Sequence, residues 1–135
     1  MNNITSFSGR ILVPVIILAA FLAISCNRPE PVPASKKEFI GTWSNGVGFK
    51  AAIRADGTAD LDMVENSKHP DNVRLYIGVA PEYAKNMLVR FRGDSIMLII
   101  QPHVAGKAYK VERVPWRDGD TLKMKLNGVV LRKER

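Results

Sequence analysis

The chain has 135 residues, which is enough for one domain. Its 20 Lys and Arg residues exceed its 13 Asp and Glu residues by seven, and 46% of all residues are hydrophobic. This balance excludes a disordered chain, a collagen-like chain and a membrane protein with several spanning helices. Because there is one cysteine, an intramolecular disulfide framework and a CxxC metal or redox site are excluded as well.

Residues 1–25 have the pattern of an export signal. A polar start with one basic side chain, Arg10, precedes an uncharged apolar run over residues 11–24. This run is shorter than the about 20 residues that a membrane-spanning helix needs, and Pro14 weakens a helix further. The pattern predicts a signal peptide that is removed after export.

The end of this segment, LAISC at residues 22–26, resembles the lipobox of bacterial lipoproteins, in which small residues precede an invariant cysteine. The resemblance implies cleavage between Ser25 and Cys26 and acyl chains on Cys26 that anchor the protein in a membrane. Asn27 stands where an Asp would retain an enterobacterial lipoprotein in the inner membrane, so the outer membrane of the bacterial cell envelope is expected. An ordinary signal peptide, or a buried Cys26 in an N-terminal helix, is the alternative.

The next residues, 26–37, contain three prolines in alternation and predict an extended, solvated tether. A folded domain over residues 38–135 follows. Removal of residues 1–25 takes away one charged side chain, Arg10, and lowers the net charge from +7 to +6. An exported, lipid-anchored protein meets no nucleic acid, so the basic charge indicates a solvated surface or attraction to anionic lipid headgroups.

From Glu38 onward the apolar residues recur with a period near two, and turn signals recur every 8–12 residues. The pattern predicts strands at 38–45, 48–54, 58–65, 73–80, 87–92, 95–101, 108–114, 121–126 and 129–134. One helical turn is expected at 81–85, where Pro81 suits a helix start. Sequential hairpins of short strands predict an antiparallel meander that closes into a barrel or stacks as a sandwich.

Four turns predict the register of the hairpins. A three-residue loop at 55–57 pairs Phe49 with Met63 and Lys50 with Asp62, which keeps apolar and polar faces separate. The turn at 93–94 pairs Phe91 with Ile96, Leu88 with Ile99 and Arg90 with Met97. The turn at 127–128 pairs Leu126 with Val129. A turn at 118–120 places Trp116 opposite Leu122.

The start of the first strand, Gly41-Thr42-Trp43, resembles the Gly-x-Trp signature of lipocalins. In that family the Trp closes one end of the barrel and an Arg from near the last strand packs on it, a part that the resemblance assigns to Arg132. Residues 49–61 also look like the second and third strands of small lipocalin-like domains of bacterial lipoproteins. The resemblance implies an all-β domain with a small lipocalin-like barrel, and another barrel or sandwich is the alternative.

Signals for catalysis are weak. The sequence has no HExxH, GxSxG or phosphate-binding loop. His69 and His103 could bind a metal with Asp60, Asp62 or Glu65, but nothing in the spacing requires it, and solvated loop histidines are the simpler interpretation. Cys26 would be acylated and unavailable as a nucleophile. We therefore expect no enzymatic activity, no cofactor and no metal.

Two features point to binding. Ten apolar side chains are predicted to face inward, where they either fill the barrel or line a cavity for an apolar ligand: Phe49, Ile53, Leu61, Met63, Leu75, Ile77, Val89, Phe91, Ile96 and Leu98. On the outer face, Leu88, Arg90, Met97 and Ile99 form a partly apolar patch that indicates a docking surface, unless another segment covers it.

These features support two hypotheses. The first is a lipid-anchored, lipocalin-like domain that binds a small apolar ligand or lipid, which requires an open apolar interior. The alternative is a non-enzymatic protein-interaction module, such as an inhibitor, an immunity protein or an envelope-assembly lipoprotein, which requires a filled interior and an exposed patch.

Overall fold

Eight antiparallel strands, each hydrogen-bonded to the next in sequence and the last to the first, form a closed barrel in the computed structural model. The structure describes residues 28–63, 68–100 and 105–135. The strands are β1 Gly41–Ser44, β2 Phe49–Ile53, β3 Thr58–Met63, β4 Met87–Arg92, β5 Ser95–Ile100, β6 Ala105–Asp118, β7 Thr121–Leu126 and β8 Val129–Lys133. The all-β barrel predicted from the alternation and the hairpin turns is confirmed.

Within residues 28–63, 68–100 and 105–135, three short helices accompany the strands: the 3₁₀ helices η1 Ala34–Phe39 and η2 Pro81–Ala84 and the α-helix α1 Pro70–Leu75. The helical turn expected at 81–85 is confirmed by η2. Within the described ranges, no helix is both long and apolar enough to span a membrane. The export signal over 1–25, the lipobox and Cys26 lie outside the described residues, as do Glu65 and His103.

The hairpin registers agree with the sequence in three of the four turns. Phe49 pairs with Met63 and Lys50 with Asp62 between β2 and β3. The pairs expected between β4 and β5, and between β7 and β8, are also observed. Because these turns fix which residues face each other, the alternation then sends one set of side chains inward and the other outward.

Two local predictions are wrong. In the β6–β7 hairpin, Trp116 pairs with Lys123 and not with Leu122, because the turn contains two residues. Register shifts follow further along the ladder, between Val111 and Trp116. The segment predicted as a strand at 73–80 begins instead as α1. Pro70 occupies the first turn of that helix, and the Asp71 N–H donates to His69 Nδ1 at 3.2 Å, which favours a helix start.

The core lies inside the barrel and extends to both of its ends. All ten side chains expected to face inward either belong to the buried core or pack against it. The core includes Leu75 from α1, which is one of these ten, and in addition Phe39 from η1. The two helices therefore close opposite ends of the barrel, since η1 leads into the start of β1 and α1 contacts the β1–β2 loop.

Part of the segment predicted as a solvated tether packs on the barrel, although most of its described side chains are exposed. The Val32 N–H donates to the Ala55 carbonyl at 3.0 Å, and the Val32 side chain packs against the core. Residues 34–39 then form η1, which buries Phe39. The side chains of Val32 and Phe39 thus hold a proline-rich segment against the barrel, although the composition of that segment predicted exposure to solvent.

Two residue pairs, Thr58–Leu88 and Ala59–Met87, join β3 and β4. Beyond them, η2 packs beside β3 and buries Ala84. The Arg54 guanidinium donates to both oxygens of Asp60, at 2.8 and 3.1 Å, and to the Asn86 side chain at 2.9 Å. This network holds the entry to β4 against the β2–β3 hairpin.

Candidate functional site

One end of the barrel is closed around Trp43. Its indole ring is fully buried, and Nε1–H donates to the Phe39 carbonyl at 2.8 Å, which satisfies the one polar group of the ring. Lys133 crosses the ring, with Nζ 5.9 Å from its centroid. Gly41 makes room for this contact, since a Cβ there would lie 2.4 Å from Lys133 Cε. Trp43 thus lies buried where η1 leads into β1.

The cation over Trp43 is Lys133 and not Arg132. Along β8 the side chains alternate, so that Leu131 is buried inside, Arg132 is exposed on the outer face, and Lys133 points back toward the interior. Arg132 pairs with Ser44 of β1, while Lys133 pairs with Trp43 itself. The residue that the resemblance assigned to this role is therefore one position away, because the pleat of β8 decides which side chain reaches the ring.

The other end of the barrel is closed by α1. The last carbonyls of a helix have no partner within it, and here side chains of β6 supply donors. Lys107 Nζ donates to the carbonyls of Arg74 and Tyr76, at 2.9 and 2.8 Å, and the Tyr109 hydroxyl donates to the buried carbonyl of Leu75 at 2.8 Å. Desolvation lowers the pKa of Lys107 and raises the pKa of Tyr109.

The β1–β2 loop holds the same helix from another side. The buried Asn72 side chain donates to the Val47 carbonyl at 2.8 Å and accepts from Asn45 Nδ2 at 2.6 Å. Sequence reasoning missed this closure. The signal that could have indicated it is the His-Pro-Asp triplet at 69–71, a polar cap followed by a proline at a helix start.

The described inward side chains fill the barrel. Inward residues in the middle of the strands, such as Leu61, Leu98 and Met124, expose at most 3% of their surface, whereas Met63, Ile77 and Phe91 are half-buried. Side chains that lined a cavity large enough for a small molecule would retain accessible surface. An eight-stranded barrel either is filled by its own side chains or holds one small ligand, and the burial of these residues corresponds to the filled arrangement.

An open groove of about 450 Å³ lies outside the core, at the rim between the β1–β2 loop and the end of β3. Phe49 and Met63 give it an apolar wall. Its charged groups are paired: Lys50 with Glu134 at 2.8 Å, and Asp62 with Lys85 at 2.6 Å. Lys50 thus pairs with Glu134, although it lies opposite Asp62 in the ladder. Exposed pairs of this kind contribute little to stability.

The outer patch expected at Leu88, Arg90, Met97 and Ile99 is smaller than the sequence indicated. Leu88 is 1% exposed and lies outside the core cluster, so this outward side chain is buried on the barrel surface. The Arg90 guanidinium donates to the Arg28 carbonyl, so residues near the N-terminus occupy part of the patch. Met97 and Ile99 are half-buried and remain as its accessible part.

Asp60 and His69, two of the residues considered for a metal site, have structural partners. The Arg54 guanidinium, with help from the Asn86 N–H at 2.7 Å, lowers the pKa of Asp60 to about 2. His69 caps α1. Within the described ranges, no three His, Cys, Asp or Glu residues are grouped so that they could hold a metal ion.

No protein-family model, no curated protein and no solved structure matches this chain. Its function is therefore inferred from the two barrel ends, the filled interior and the outer surface.

Proposed function

We propose that the protein is a lipid-anchored lipoprotein of the bacterial cell envelope whose small lipocalin-like barrel is a non-enzymatic protein-interaction module. Acyl chains on Cys26 would hold it in the outer membrane. The filling of the barrel by its own side chains supports an action through the outer surface. The lipobox resemblance at 22–26 supports the anchor.

Binding of a small apolar ligand or lipid in the interior is the less favoured function. A ligand would have to displace core side chains, and access from one end would break the bonds from Lys107 and Tyr109 to α1. At the other end it would displace Phe39 and the indole of Trp43, which is bonded to the Phe39 carbonyl. Such rearrangements reduce the affinity of a ligand, because each lost buried contact is subtracted from the binding energy.

The outward side of β5 offers an apolar contact surface. Met97 and Ile99 are half-buried and project from the same face, next to the exposed strand residue Ala108 that pairs with Met97. Apolar side chains in the accessible middle of a sheet face are typical of protein contacts. We propose that an envelope protein binds here.

The anchor is tested by replacing Cys26 with Ser in the full chain. We expect the variant to leave the membrane fraction or to remain unprocessed, with the acyl mass missing from the protein. Unchanged membrane fractionation and an unchanged mass shift would contradict acylation at this residue.

The interior is tested by titrating the detergent-solubilised wild-type protein with the fluorescent apolar probe N-phenyl-1-naphthylamine. We expect no saturable binding. Saturable binding with one probe per chain, abolished by a bulky substitution inside the barrel such as Ala51→Phe in a variant that still folds, would favour the ligand-binding function.

The surface is tested by comparing Ile99→Asp with Val130→Asp, which places the same charge on an outward residue of β8 that is 43% exposed. Both variants are first checked for native circular dichroism. We expect Ile99→Asp, but not Val130→Asp, to lose an envelope protein that can be crosslinked to the wild type. Equal crosslinking by all three proteins would contradict a contact surface on β5.

A further inference from the structure

The C-terminal strands carry most of the net positive charge of the chain. Residues 110–135 contain eight basic and four acidic side chains, whereas residues 28–109 contain eleven and nine. Along β7 the inward residues are buried, so the side chains of Lys123 and Lys125 point outward. These two lysines lie in the middle of an outer surface that spans β6, β7 and β8. We define this cationic face as Arg113, Trp116, Lys123, Lys125 and Arg132.

An irregularity of β6 turns Arg113 and Trp116 to this side of the barrel. Arg113 pairs with Lys125 and Trp116 with Lys123, so that three steps along β6 match two steps along β7. Residues three apart in a regular strand point to opposite faces, and the extra residue of the bulge places both on one face. The guanidinium carbon of Arg113 lies 3.9 Å from the centroid of the Trp116 ring. Stacking of this kind leaves the N–H edge of a guanidinium available to an anion.

Like charges lie directly opposite each other on the cationic face. Arg113 is opposite Lys125, and Lys123 is opposite Arg132. In the part of the chain that the structure describes, these are the two cross-strand pairs that join like charges. A like-charged pair in this position destabilises a sheet. The stability of the barrel therefore does not account for the arrangement.

Two carboxylates accompany the four cations. Asp118 accepts from Lys123 at 2.6 Å, and Glu112 pairs with Lys125 at 3.7 Å. The hydrogen bond from Lys123 holds the pKa of Asp118 below its ordinary value, and the charges of the two arginines of the face lower this pKa further. The arginines are thus close enough to Asp118 for their charges to act on it.

The other two acidic residues beyond position 110 leave this balance unchanged. Asp120 lies in the β6–β7 turn, and Glu134 follows β8 and pairs with Lys50 of β2 at 2.8 Å. Four cations against two carboxylates leave the cationic face with a net charge of +2. Within the described residues, neither Arg113 nor Arg132 forms an ion pair with a carboxylate. An anionic ligand held by these arginines would reduce the repulsion between the opposed cations.

The cationic face is on the far side of the barrel from the first described residues. The Arg28 carbonyl accepts from Arg90 of β4, and the Val32 N–H donates to the β2–β3 turn. In the closed barrel of eight strands, β7 and β8 lie four strands away from β3 and β4. A barrel anchored through Cys26 therefore presents the cationic face away from its own bilayer, which disfavours the headgroups of that bilayer as the ligand.

The face also lies apart from the contact surface on β5. Strand β6 pairs with β5 over residues 105–110 and with β7 from residue 111 onward. A ligand on the cationic face therefore leaves Met97 and Ile99 uncovered.

A soluble polyanion suits this face better than a protein does. A closed barrel offers no strand edge to which an extended acidic peptide could add main-chain hydrogen bonds. The centre of a protein interface is also depleted in lysine, whereas Lys123 and Lys125 lie at the centre of this face. A hydrated polymer with repeated anionic groups can bind such side chains without removing their water.

We propose that the cationic face binds an anionic polysaccharide of the cell envelope. Arg113, stacked on Trp116, and the exposed Arg132 donate to the anionic groups of the polymer, and the two lysines between them add positive charge. The choice of an envelope polymer rests on the proposed export and acylation at Cys26. The binding of a polyanion by this face does not depend on that anchor.

The face is tested by isothermal titration calorimetry of the detergent-solubilised full-chain protein with polygalacturonate, a carboxylated polysaccharide. Two double variants with equal net charge are compared with the wild type. Arg113→Gln with Arg132→Gln removes two cations of the face, and Lys37→Gln with Arg92→Gln removes two exposed cations elsewhere. Since one exposed ion pair changes affinity by up to about fivefold, we expect the face variant to bind roughly tenfold more weakly. The control variant should stay within about twofold of the wild type at 0.15 M salt, where distant charges are screened.

The outcomes separate the face from the ligand class and from the anchor. Equal loss of affinity in both double variants would overturn the face, because binding would then follow net charge alone. Displacement of polygalacturonate by poly-L-glutamate at a lower concentration of anionic groups would overturn the polysaccharide in favour of an acidic protein segment. Displacement by phosphatidylglycerol added to the micelles would overturn it in favour of lipid headgroups. Absence of acyl chains on Cys26 would overturn the anchor and leave these titrations unchanged.

The opposed charges are tested by the stability of Arg132→Gln. We expect this variant not to have a lower Tm than the wild type at low salt, because it removes a like-charged pair. Polygalacturonate should raise the Tm of the wild type more than that of the variant, since a ligand stabilises the fold that binds it. A lower Tm of the variant without polysaccharide, or equal shifts with it, would overturn the assignment of Arg132 to ligand binding.

Discussion

Replacing Tyr109 with Phe removes one hydroxyl group that joins β6 to the helix at the end of the barrel. The hydroxyl donates to the Leu75 carbonyl at 2.8 Å, and both residues are buried. That carbonyl is at the C-terminal end of α1 and has no partner within the helix. A buried carbonyl left without a donor costs about 1–3 kcal/mol. We therefore expect the free energy of unfolding to fall by about 2 kcal/mol, or Tm by roughly 10 °C for a domain of this size.

The measurement is urea or thermal unfolding followed by circular dichroism, with Tyr83→Phe as control. Tyr83 is 54% exposed, so loss of its hydroxyl should change the unfolding free energy by less than about 0.5 kcal/mol. Equal stability of the Tyr109→Phe and Tyr83→Phe variants would refute the conclusion that this hydroxyl secures the closed end. A change in the slope of the unfolding free energy against urea concentration, rather than in the midpoint of the transition, would instead indicate an altered unfolded state.

Two further changes test the ion pairs and the closed Trp43 end. The pKa of Asp60 is about 2 in the folded protein, below the ordinary 3.8, so its contribution to stability is present above about pH 4 and is lost as the pH falls toward 2. The free energy of unfolding should fall by about 1 kcal/mol over this pH range, given that the Asp60 side chain is 30% exposed. Acid titration of the Asp60→Asn variant should not show this decrease. Lys133→Ala should destabilise the fold by about 1 kcal/mol through lost contact with Trp43 and should shift its fluorescence, whereas Arg132→Ala should do neither. Equal effects at residues 132 and 133 in unfolding and fluorescence would contradict the placement of Lys133 over the indole.

Much of the strand pattern and most of the cross-strand pairs can be predicted from the sequence alone. In the β2–β3 hairpin, one three-residue turn with Gly57 at φ +85° and a period of two in the flanking residues are enough to set the pairs from Phe49–Met63 to Ile53–Ala59. The Asn127-Gly128 turn does the same for β7 and β8. These features are local, because a turn type and the pleat specify register without reference to the rest of the chain.

The segments that close the barrel and pack on its outer wall depend on contacts between residues that are far apart in the sequence. The alternation at 73–80 fits a strand, but the buried site for Leu75 and the donors of Lys107 and Tyr109 favour a helix there. Residues 28–33 have a composition typical of a solvated linker, yet the close approach of Glu30 to Gly57 and the bond from the Val32 N–H to the Ala55 carbonyl hold their backbone on the barrel. The alternation of apolar residues along a strand also does not show whether an inward side chain fills the barrel or lines a cavity. That depends on how closely strands distant in sequence approach one another.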